Sequence, residues 1–267
     1  MKRPALWIAV GILSVAAAPS PLERLPHDAA GKIVRQAIAQ AGGWDAWASK
    51  KNVQLRVSAR ELKPDGTIAS TRVETHRYRL QPELGVRIES DQAGGMLWVN
   101  NGRFASKVAG AAEDFSPAAG LEARDRTFRA EYDFGMPFKL ADRGTHLEYL
   151  GKGPFGPERQ AERVRVTYDP GIGDAGGQHT WTYFFDARTG AWLGTHVDYG
   201  SSRGSDRFEV TELSQEQSFD GLRLAARRVR FPADANGKTG PAISETVYEE
   251  VHFNTEMDDG LFAIPPK

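Results

Sequence analysis

The chain has 267 residues, of which 40% are hydrophobic and 26% are charged, and its formal net charge is −1. This is an ordinary globular composition, and the near-neutral charge excludes the basic surface field with which a protein attracts nucleic acid. The sequence contains no cysteine, which excludes disulfides, thiol catalysis, cysteine-based metal sites and a cysteine-linked lipid anchor.

The first eighteen residues have the pattern of a secretory signal peptide. Lys2 and Arg3 precede the apolar run ALWIAVGILSVAAA, which ends in small side chains. A basic start, a short apolar stretch and an A-x-A-like end are typical of a cleaved export signal. The run is shorter than the roughly twenty apolar residues that span a membrane, although an uncleaved N-terminal anchor stays an alternative. We therefore predict a signal peptide over 1–18 and a single soluble domain over 19–267, located in the periplasm or secreted.

Two stretches of the sequence show helical periodicity. In the first, apolar residues recur at helical spacing between Asp28, a candidate N-cap, and Gly42, a candidate C′ residue. The second begins at Ser116 and Pro117, which suit the N-cap and the first helical position. It is predicted to end near Gly135, because Gly135 and the following proline oppose continuation of the helix.

Most of the remaining sequence alternates apolar and polar residues with a period of two. The first such run is VQLRVSAREL at 53–62, and the last is ISETVYEEVHF at 243–253. Turns join most of these runs, and short strands joined by turns predict an antiparallel sheet. The predicted fold class is mainly β, within the α+β class, with roughly a dozen strands and two helices.

A glycine pattern at 151–156 imitates a nucleotide-binding loop. Gly151, Gly153 and Gly156 fit G-x-G-x-x-G, which works only between a strand and a helix, because the pyrophosphate binds at the helix N-terminus. Strand-like segments flank this stretch on both sides, and Pro154 and Pro157 lack N–H donors. We interpret it as a hairpin loop and predict no nucleotide site.

A second pattern imitates the nucleophile elbow of serine hydrolases. Gly200, Ser202 and Gly204 fit G-x-S-x-G, but the elbow requires a helix directly after the serine. Strand alternation follows instead, so the segment is interpreted as a flexible hairpin tip. A hydrolase is the weakest of the functional hypotheses.

The histidines and aspartates do not form a recognisable metal site. His146 with Glu148, and His196 with Asp198, are His-x-acid pairs that share a strand face, whereas a metal site needs three or four converging ligands. The DPGIGDAGG segment at 169–177 lacks the spacing of a calcium loop. The sequence predicts no metal, no cofactor and no catalytic residues.

Three segments of the chain share their pattern with a known family. They are Gly-Gly-x-x-x-Trp at 42–47, Pro-Phe-Lys-Leu at 137–140 before a central strand, and a closing Asn254 followed by Leu-Phe-x-x-Pro at 261–265. Together they resemble the lipoprotein-sorting, LolA-like superfamily, and most closely a branch of exported bacterial proteins of unassigned function. This resemblance covers most of the predicted domain. It implies a strongly curved antiparallel half-barrel of roughly eleven or twelve strands wrapped around two or three helices.

The resemblance also implies a ligand class. Relatives hold acyl chains or other apolar ligands between the sheet and the helices, and some carry lipoproteins between the two bacterial membranes. Burial of an acyl chain of about fifteen carbons gains roughly 12 kcal/mol over water, which is similar to the gain in a bilayer. The aromatic residues that are candidates to line such a cavity are Trp98, Phe104, Phe128, Tyr132, Phe138, Trp181, Tyr183 and Phe185.

The favoured hypothesis is a non-enzymatic periplasmic binder or carrier of a lipid, a lipoprotein acyl chain or a similar apolar ligand, with transient contact with a membrane. The first alternative is an envelope scaffold, whose own side chains fill the cavity and which binds a protein partner. The second alternative is the hydrolase. An apolar opening at the mouth of the half-barrel favours the carrier, and a filled mouth favours the scaffold.

Overall fold

The structure of the protein is a computed structural model that describes residues 20–92, 95–102, 105–109, 112–114, 116–170, 172, 178–200 and 207–264. The predicted signal peptide lies outside these ranges, as do Phe104, Asp174, Ser202 and Gly204. Within the described part of the chain, no helix has the length and apolar character needed to cross a membrane.

The described residues include four α-helices: α1 (Pro21–Arg24), α2 (Ala29–Gln40), α3 (Trp44–Ala48) and α4 (Pro117–Phe134). The long helices α2 and α4 are the two that the sequence predicts. The Asp28 carboxylate accepts a hydrogen bond from the Gly31 N–H at 3.0 Å, and the Ser116 hydroxyl accepts one from the Ala119 N–H at 3.2 Å. Both N-cap predictions are therefore confirmed.

The strands form one antiparallel sheet with the order β6-β5-β4-β3-β2-β1-β13-β12-β11-β10-β9-β8-β7. Its first six strands are β1 (Asn52–Leu62), β2 (Ile68–Arg79), β3 (Gly85–Ser90), β4 (Met96–Asn100), β5 (Ala105–Ala109) and β6 (Ala112–Asp114). The other seven are β7 (Thr145–Phe155), β8 (Arg159–Tyr168), β9 (Thr180–Asp186), β10 (Trp192–Asp198), β11 (Phe208–Phe219), β12 (Leu222–Ala233) and β13 (Ser244–Phe253).

The chain builds this sheet in two passes. It proceeds from β1 outwards to the edge strand β6, and α4 then carries it to the opposite edge, β7. From β7 the strands return in order, until β13 pairs with β1. The two edges do not pair with each other, so the sheet is a curved, open half-barrel. The predicted mainly-β fold is confirmed.

Thirteen strands are found among the described residues, in keeping with the roughly dozen that the sequence predicts. The positive φ of +87° at Gly102 turns the chain back, and β4 and β5 form a hairpin there. One detail differs from the prediction. The strand that follows 137–140 is β7, which lies at an edge of the sheet and is not central. Strand periodicity is a local property, and it does not indicate where a strand stands in the sheet.

The core lies between the inner face of the sheet and the helices. Val53, Leu55 and Val57 alternate with polar residues along β1, and each is at most 3% exposed. Trp47 of α3 stacks on Phe138 of a 3₁₀ helix at 138–141, with 4.8 Å between the ring centroids. Burial of a side chain of this size stabilises the fold by about 2–3 kcal/mol.

The glycine pattern at 151–156 is part of a hairpin, as predicted. Gly151 and Gly153 lie within β7, and Gly156 occupies the turn into β8 with a φ of +66°. A strand follows this turn where a nucleotide site would need a helix.

The His-x-acid pairs are divided among separate surface contacts. His146 contacts Asp169 at 2.6 Å, and Glu148 accepts a hydrogen bond from Arg165 at 2.6 Å. His196 contacts the carbonyl oxygen of Asp234 at 3.2 Å. Within the described ranges, no three His, Asp or Glu side chains are grouped in a way that could hold a metal ion.

Candidate ligand-binding site

A cavity of about 150 Å³ lies between α4 and the inner face of the sheet. Its position follows from the topology, because α4 crosses from one edge of the sheet to the other above the strands in between. Residues of α4 line one side, and residues of β1, β2 and β8–β13 line the other. Eight aromatic side chains contribute to its wall: Phe128, Tyr132, Tyr168, Trp181, Tyr183, Trp192, Tyr199 and Tyr248.

The structure brings together four of the predicted lining residues and separates the others. Those that line the cavity are Phe128, Tyr132, Trp181 and Tyr183. Three lie elsewhere: Trp98 is buried beneath Arg126, Phe138 is buried against Trp47, and Phe185 is fully buried in the core. Phe104 lies outside the described residues. Contact of any of these side chains with a ligand stays a prediction.

The aromatic wall is organised by the periodicity of the elements that carry it. Phe128 and Tyr132 are four residues apart on α4, and their rings stack with centroids 5.2 Å apart. Trp181 and Tyr183 are two residues apart on β9 and therefore share a face of the sheet. The indole N–H of Trp181 is buried and has no hydrogen-bond partner among the described residues. This wall offers a ligand mostly apolar contact, with one free donor.

Arginines form the other part of the lining, and sequence reasoning missed them. The five that line the cavity are Arg72, Arg126, Arg129, Arg228 and Arg230. A signal for two of them is present on β12, where residues 222, 224, 226, 228 and 230 share the inner face and read Leu, Leu, Ala, Arg, Arg. The face is apolar at one end of the strand and cationic at the other. An inward-facing charge at the end of an apolar stripe is thus detectable from sequence.

Arg228 is the most buried of these arginines. It is 9% exposed, and its guanidinium lies over the rings of Trp192 and Tyr248, at 5.1 and 5.3 Å from their centroids. It donates a hydrogen bond to the carbonyl oxygen of Asp133 in α4. The Asp133 carboxylate is 3.7 Å from Nη1, which is long for a hydrogen bond. Nε of Arg228 has no hydrogen-bond partner among the described residues.

A chain of buried polar groups runs along β2 beside the cavity. The Glu74 carboxylate contacts Nε2 of His76 at 2.9 Å, and Nδ1 of His76 contacts the hydroxyl of Tyr78 at 2.6 Å. Glu74 also accepts a hydrogen bond from Arg126 of α4, which ties the helix to the sheet. Of the chain of three, His76 lines the cavity.

The surroundings of Glu74 and His76 determine the charge of each group. Burial opposes ionisation of Glu74, but the hydrogen bond from His76 and the charges of Arg126 and Arg72 outweigh it and lower the pKa of Glu74 to about 2. Burial lowers the pKa of His76 below its ordinary value of 6.5, although Glu74 opposes this shift. At neutral pH, Glu74 is therefore an anion and His76 is neutral.

A buried ion pair closes the C-terminal end of α4. Nζ of Lys139 is 3.0 Å from the Glu131 carboxylate and 3.1 Å from that of Asp142. Burial raises the pKa of Glu131. Burial alone would lower the pKa of Lys139, but the two carboxylates raise it above its ordinary value. Lys139 belongs to the Pro-Phe-Lys-Leu segment, so this part of the motif has a structural role in holding α4 to the turn that follows it.

A second cavity, of about 300 Å³, shares Trp192 with the first. Residues of α2, β10, β11 and β12 line it, together with Met136 and Pro137. Trp192 lines both cavities and stacks on Tyr183 with ring centroids 5.6 Å apart. Its indole N–H donates to the carbonyl oxygen of Gly194 at 3.0 Å. One aromatic side chain therefore contributes to the lining of two cavities.

Solved structures with the same architecture support the resemblance drawn from the sequence. A LolA superfamily protein of Nitrosomonas europaea is 11% identical, with a TM-score of 0.56 over 88% of this chain and 97% of that one. A DUF1329 family protein of Desulfovibrio piger is 10% identical, with a TM-score of 0.55 over 88% and 98% of the two chains.

An outer membrane lipoprotein-sorting protein domain from Vibrio parahaemolyticus is 11% identical, with a TM-score of 0.53 over 86% of this chain and 94% of that one. No protein-family model matches the chain, and no curated protein matches its sequence. At these identities the likeness is one of fold. The LolA-like resemblance is confirmed at that level.

Proposed function

We propose that the protein is a non-enzymatic binder or carrier of a lipid, a lipoprotein acyl chain or a similar apolar ligand, held between α4 and the sheet. The observation that carries this proposal is the cavity itself, with aromatic side chains on both sides. Mostly apolar walls with a few placed polar groups are typical of small-molecule sites. The lipoprotein-sorting domain of similar fold is in keeping with this role.

The size of the cavity bounds how a ligand can bind. A cavity of about 150 Å³ is comparable to apolar cavities that hold a benzene-sized molecule. It therefore suits part of an acyl chain, and five buried methylenes would contribute about 4 kcal/mol. A longer chain would reach past Trp192, which also lines the second cavity. Modest burial of this kind suits a carrier, which must release its ligand.

We also propose that the predicted signal peptide directs the protein to the periplasm, where it acts in soluble form and touches a membrane only to load or unload. The absence of cysteine from the sequence is compatible with a carrier that has no lipid anchor of its own. A scaffold with a filled cavity is less well supported, because the side chains leave about 150 Å³ between α4 and the sheet.

The test places a phenylalanine at each of two neighbouring positions of β1, one whose side chain faces the cavity and one whose side chain faces the outer side of the sheet. Ala59 on β1 lines the cavity, so Ala59→Phe places a ring inside it. Ser58 faces the other side of the sheet, where its hydroxyl donates to Glu249 at 3.1 Å, so Ser58→Phe is the matched control. Binding is measured with the apolar dye N-phenyl-1-naphthylamine and its displacement by oleate.

We expect Ala59→Phe to weaken dye binding by at least about tenfold, the equivalent of about 1.4 kcal/mol. Ser58→Phe is expected to bind like the wild type. Circular dichroism and thermal unfolding establish that both variants are folded. A folded Ala59→Phe variant with unchanged affinity, or a wild-type protein that binds neither dye nor oleate, would refute the proposal.

A further inference from the structure

We infer that the ligand of this cavity is an anionic amphiphile, whose carboxylate or phosphate binds at Arg228 and Arg230 while its apolar chain contacts the aromatic wall. This inference rests on the proposed function and deepens it by naming the chemical class of the ligand. Four kinds of observation support it: the number of arginines in the lining, an unsatisfied buried donor, the separation of arginine and aromatic side chains on different strands, and neighbouring hydroxyl groups.

The lining of the cavity carries an excess of positive charge. Its five arginines face one carboxylate in the lining itself, that of Asp133. Glu74 and Glu209, just behind the lining, contact Arg126 and Arg230. Among the described residues, the arginines of the lining therefore outnumber the carboxylates in and just behind it. A cationic cavity wall attracts anions and opposes the entry of cations.

Arg228 retains a donor that an anion would satisfy. A buried donor without an acceptor is costly, and a buried charge more so. Nε of Arg228 is in this position, and the Asp133 carboxylate lies too far away to serve Nη1 as a close acceptor. The guanidinium is planar and its donors form a fork that matches a carboxylate or a phosphate. An anionic head group at Arg228 would supply the missing acceptor.

The placement of the arginine and aromatic side chains orients the ligand. Arg228 and Arg230 line the cavity from β12. Trp181 and Tyr183 line it from β9, and β10 and β11 lie between these two strands. An amphiphile has the same division into an apolar chain and a charged head. We therefore place the head at the arginine end of β12 and the chain against the aromatic wall.

Threonine hydroxyls stand beside the arginines. In the sheet register, Thr246 of β13 is paired with Arg228, and Thr211 of β11 is paired with Arg230. Thr211 is paired in turn with Thr195 of β10, and all three threonines line the cavity. Hydroxyl donors next to guanidinium groups are suited to the several oxygens of a carboxylate or phosphate.

The experiment compares three ligands that differ only in their head group: dodecyl phosphate, dodecan-1-ol and dodecylammonium. Calorimetric titration, below the micelle concentrations of the two ionic ligands and below the solubility limit of the alcohol, measures their affinities, and inorganic phosphate is titrated separately. The variant is Arg230→Gln, whose side chain is 39% exposed and hydrogen-bonded to Ser244. The control is Arg165→Gln, which changes a side chain of similar exposure, 44%, paired with Glu148 outside the cavity. Arg228→Gln is the second variant, to be used if it folds.

We expect dodecyl phosphate to bind at least about tenfold more tightly than dodecan-1-ol, since hydrogen bonds to charged groups contribute on that scale. Dodecylammonium should bind most weakly. Arg230→Gln should remove most of the preference for phosphate over the alcohol, and Arg165→Gln should leave it unchanged.

The other possible results distinguish failure of this inference from failure of the proposed function. Equal affinities for the phosphate and the alcohol would overturn the anionic head group but leave the proposed function intact. Inorganic phosphate that binds as tightly as dodecyl phosphate would show a free-anion site and overturn the amphiphile. If none of the three amphiphiles binds, both the inference and the proposed function fail.

Discussion

His76 is a buried residue that contacts a charged neighbour and also lines the cavity. Its ring is 2% exposed and lies between Glu74 and Tyr78. Burial lowers its pKa below 6.5, whereas the unfolded chain titrates near that value. Below about pH 6.5 the unfolded state therefore binds more protons than the folded state. The contribution of His76 to the free energy of unfolding is thus at its maximum above this pH and decreases as the pH falls.

We predict that the free energy of unfolding decreases between about pH 7.5 and about pH 5.5, with a contribution from His76 of up to about 1.4 kcal/mol per pH unit. Glu74 stays ionised throughout this range because its pKa is about 2. Urea denaturation at a series of pH values provides the measurement. His76→Gln should reduce the slope, and His252→Gln, which alters an exposed side chain of β13, should preserve it. The account of His76 is wrong if wild type and His76→Gln have the same slope.

At the scale of secondary-structure elements, α4 decides whether the cavity exists. It forms one wall of the cavity and is attached to the sheet by polar contacts, including those of Arg126 with Glu74 and of Arg228 with the Asp133 backbone. A further contact joins Asn100 of β4 to Thr127, where the amide donates to the hydroxyl at 3.0 Å. Both side chains are buried.

We predict that Thr127→Val destabilises the protein by about 1–3 kcal/mol, because the buried amide of Asn100 loses its acceptor. Amides of α4 should exchange hydrogen faster, while those of the central strands β1 and β13 change less. The double variant Asn100→Leu/Thr127→Val removes both partners and should cost less than the sum of the two single variants. A loss of less than about 0.5 kcal/mol for Thr127→Val, with unchanged exchange in α4, would contradict this description of the attachment.

The sequence predicts these elements well where the signal is local. The Asp28 and Ser116 caps and the period-two pattern of β1 are all found in the structure. The aromatic residues were harder to assign, because the same period-two pattern on β9 places Tyr183 in the cavity wall and Phe185 in the core. The difference depends on what packs against each residue, and this comes from distant parts of the chain.

The arginine cluster was missed for a related reason. Arg72 and Arg228 are far apart in the sequence, and the sheet register brings them near each other through Ala59 and Thr246 on the two strands between them. Only the two arginines of β12 have a signal in their own strand, and each of the others looks like an ordinary charged residue of a strand or a helix. The excess positive charge appears only when β2, β12 and α4 are assembled.

At the scale of the whole molecule, one sheet and one crossing helix enclose a space that is lined by aromatic and arginine side chains. The shape follows from the order of the strands, because β13 returns to pair with β1 and leaves both edges of the sheet open. The function we propose depends on this space being accessible to a lipid. The proposed function therefore predicts that a lipid stays bound when the protein is purified.

The most direct test is native mass spectrometry of the protein purified from a bacterial envelope fraction, followed by organic extraction and lipid identification. The account predicts a co-purifying lipid at about one molecule per chain, lost in Ala59→Phe and retained in Ser58→Phe, because Ala59 lines the cavity. A protein that carries no lipid, and that takes up neither fatty acids nor phospholipids when they are offered, would contradict it.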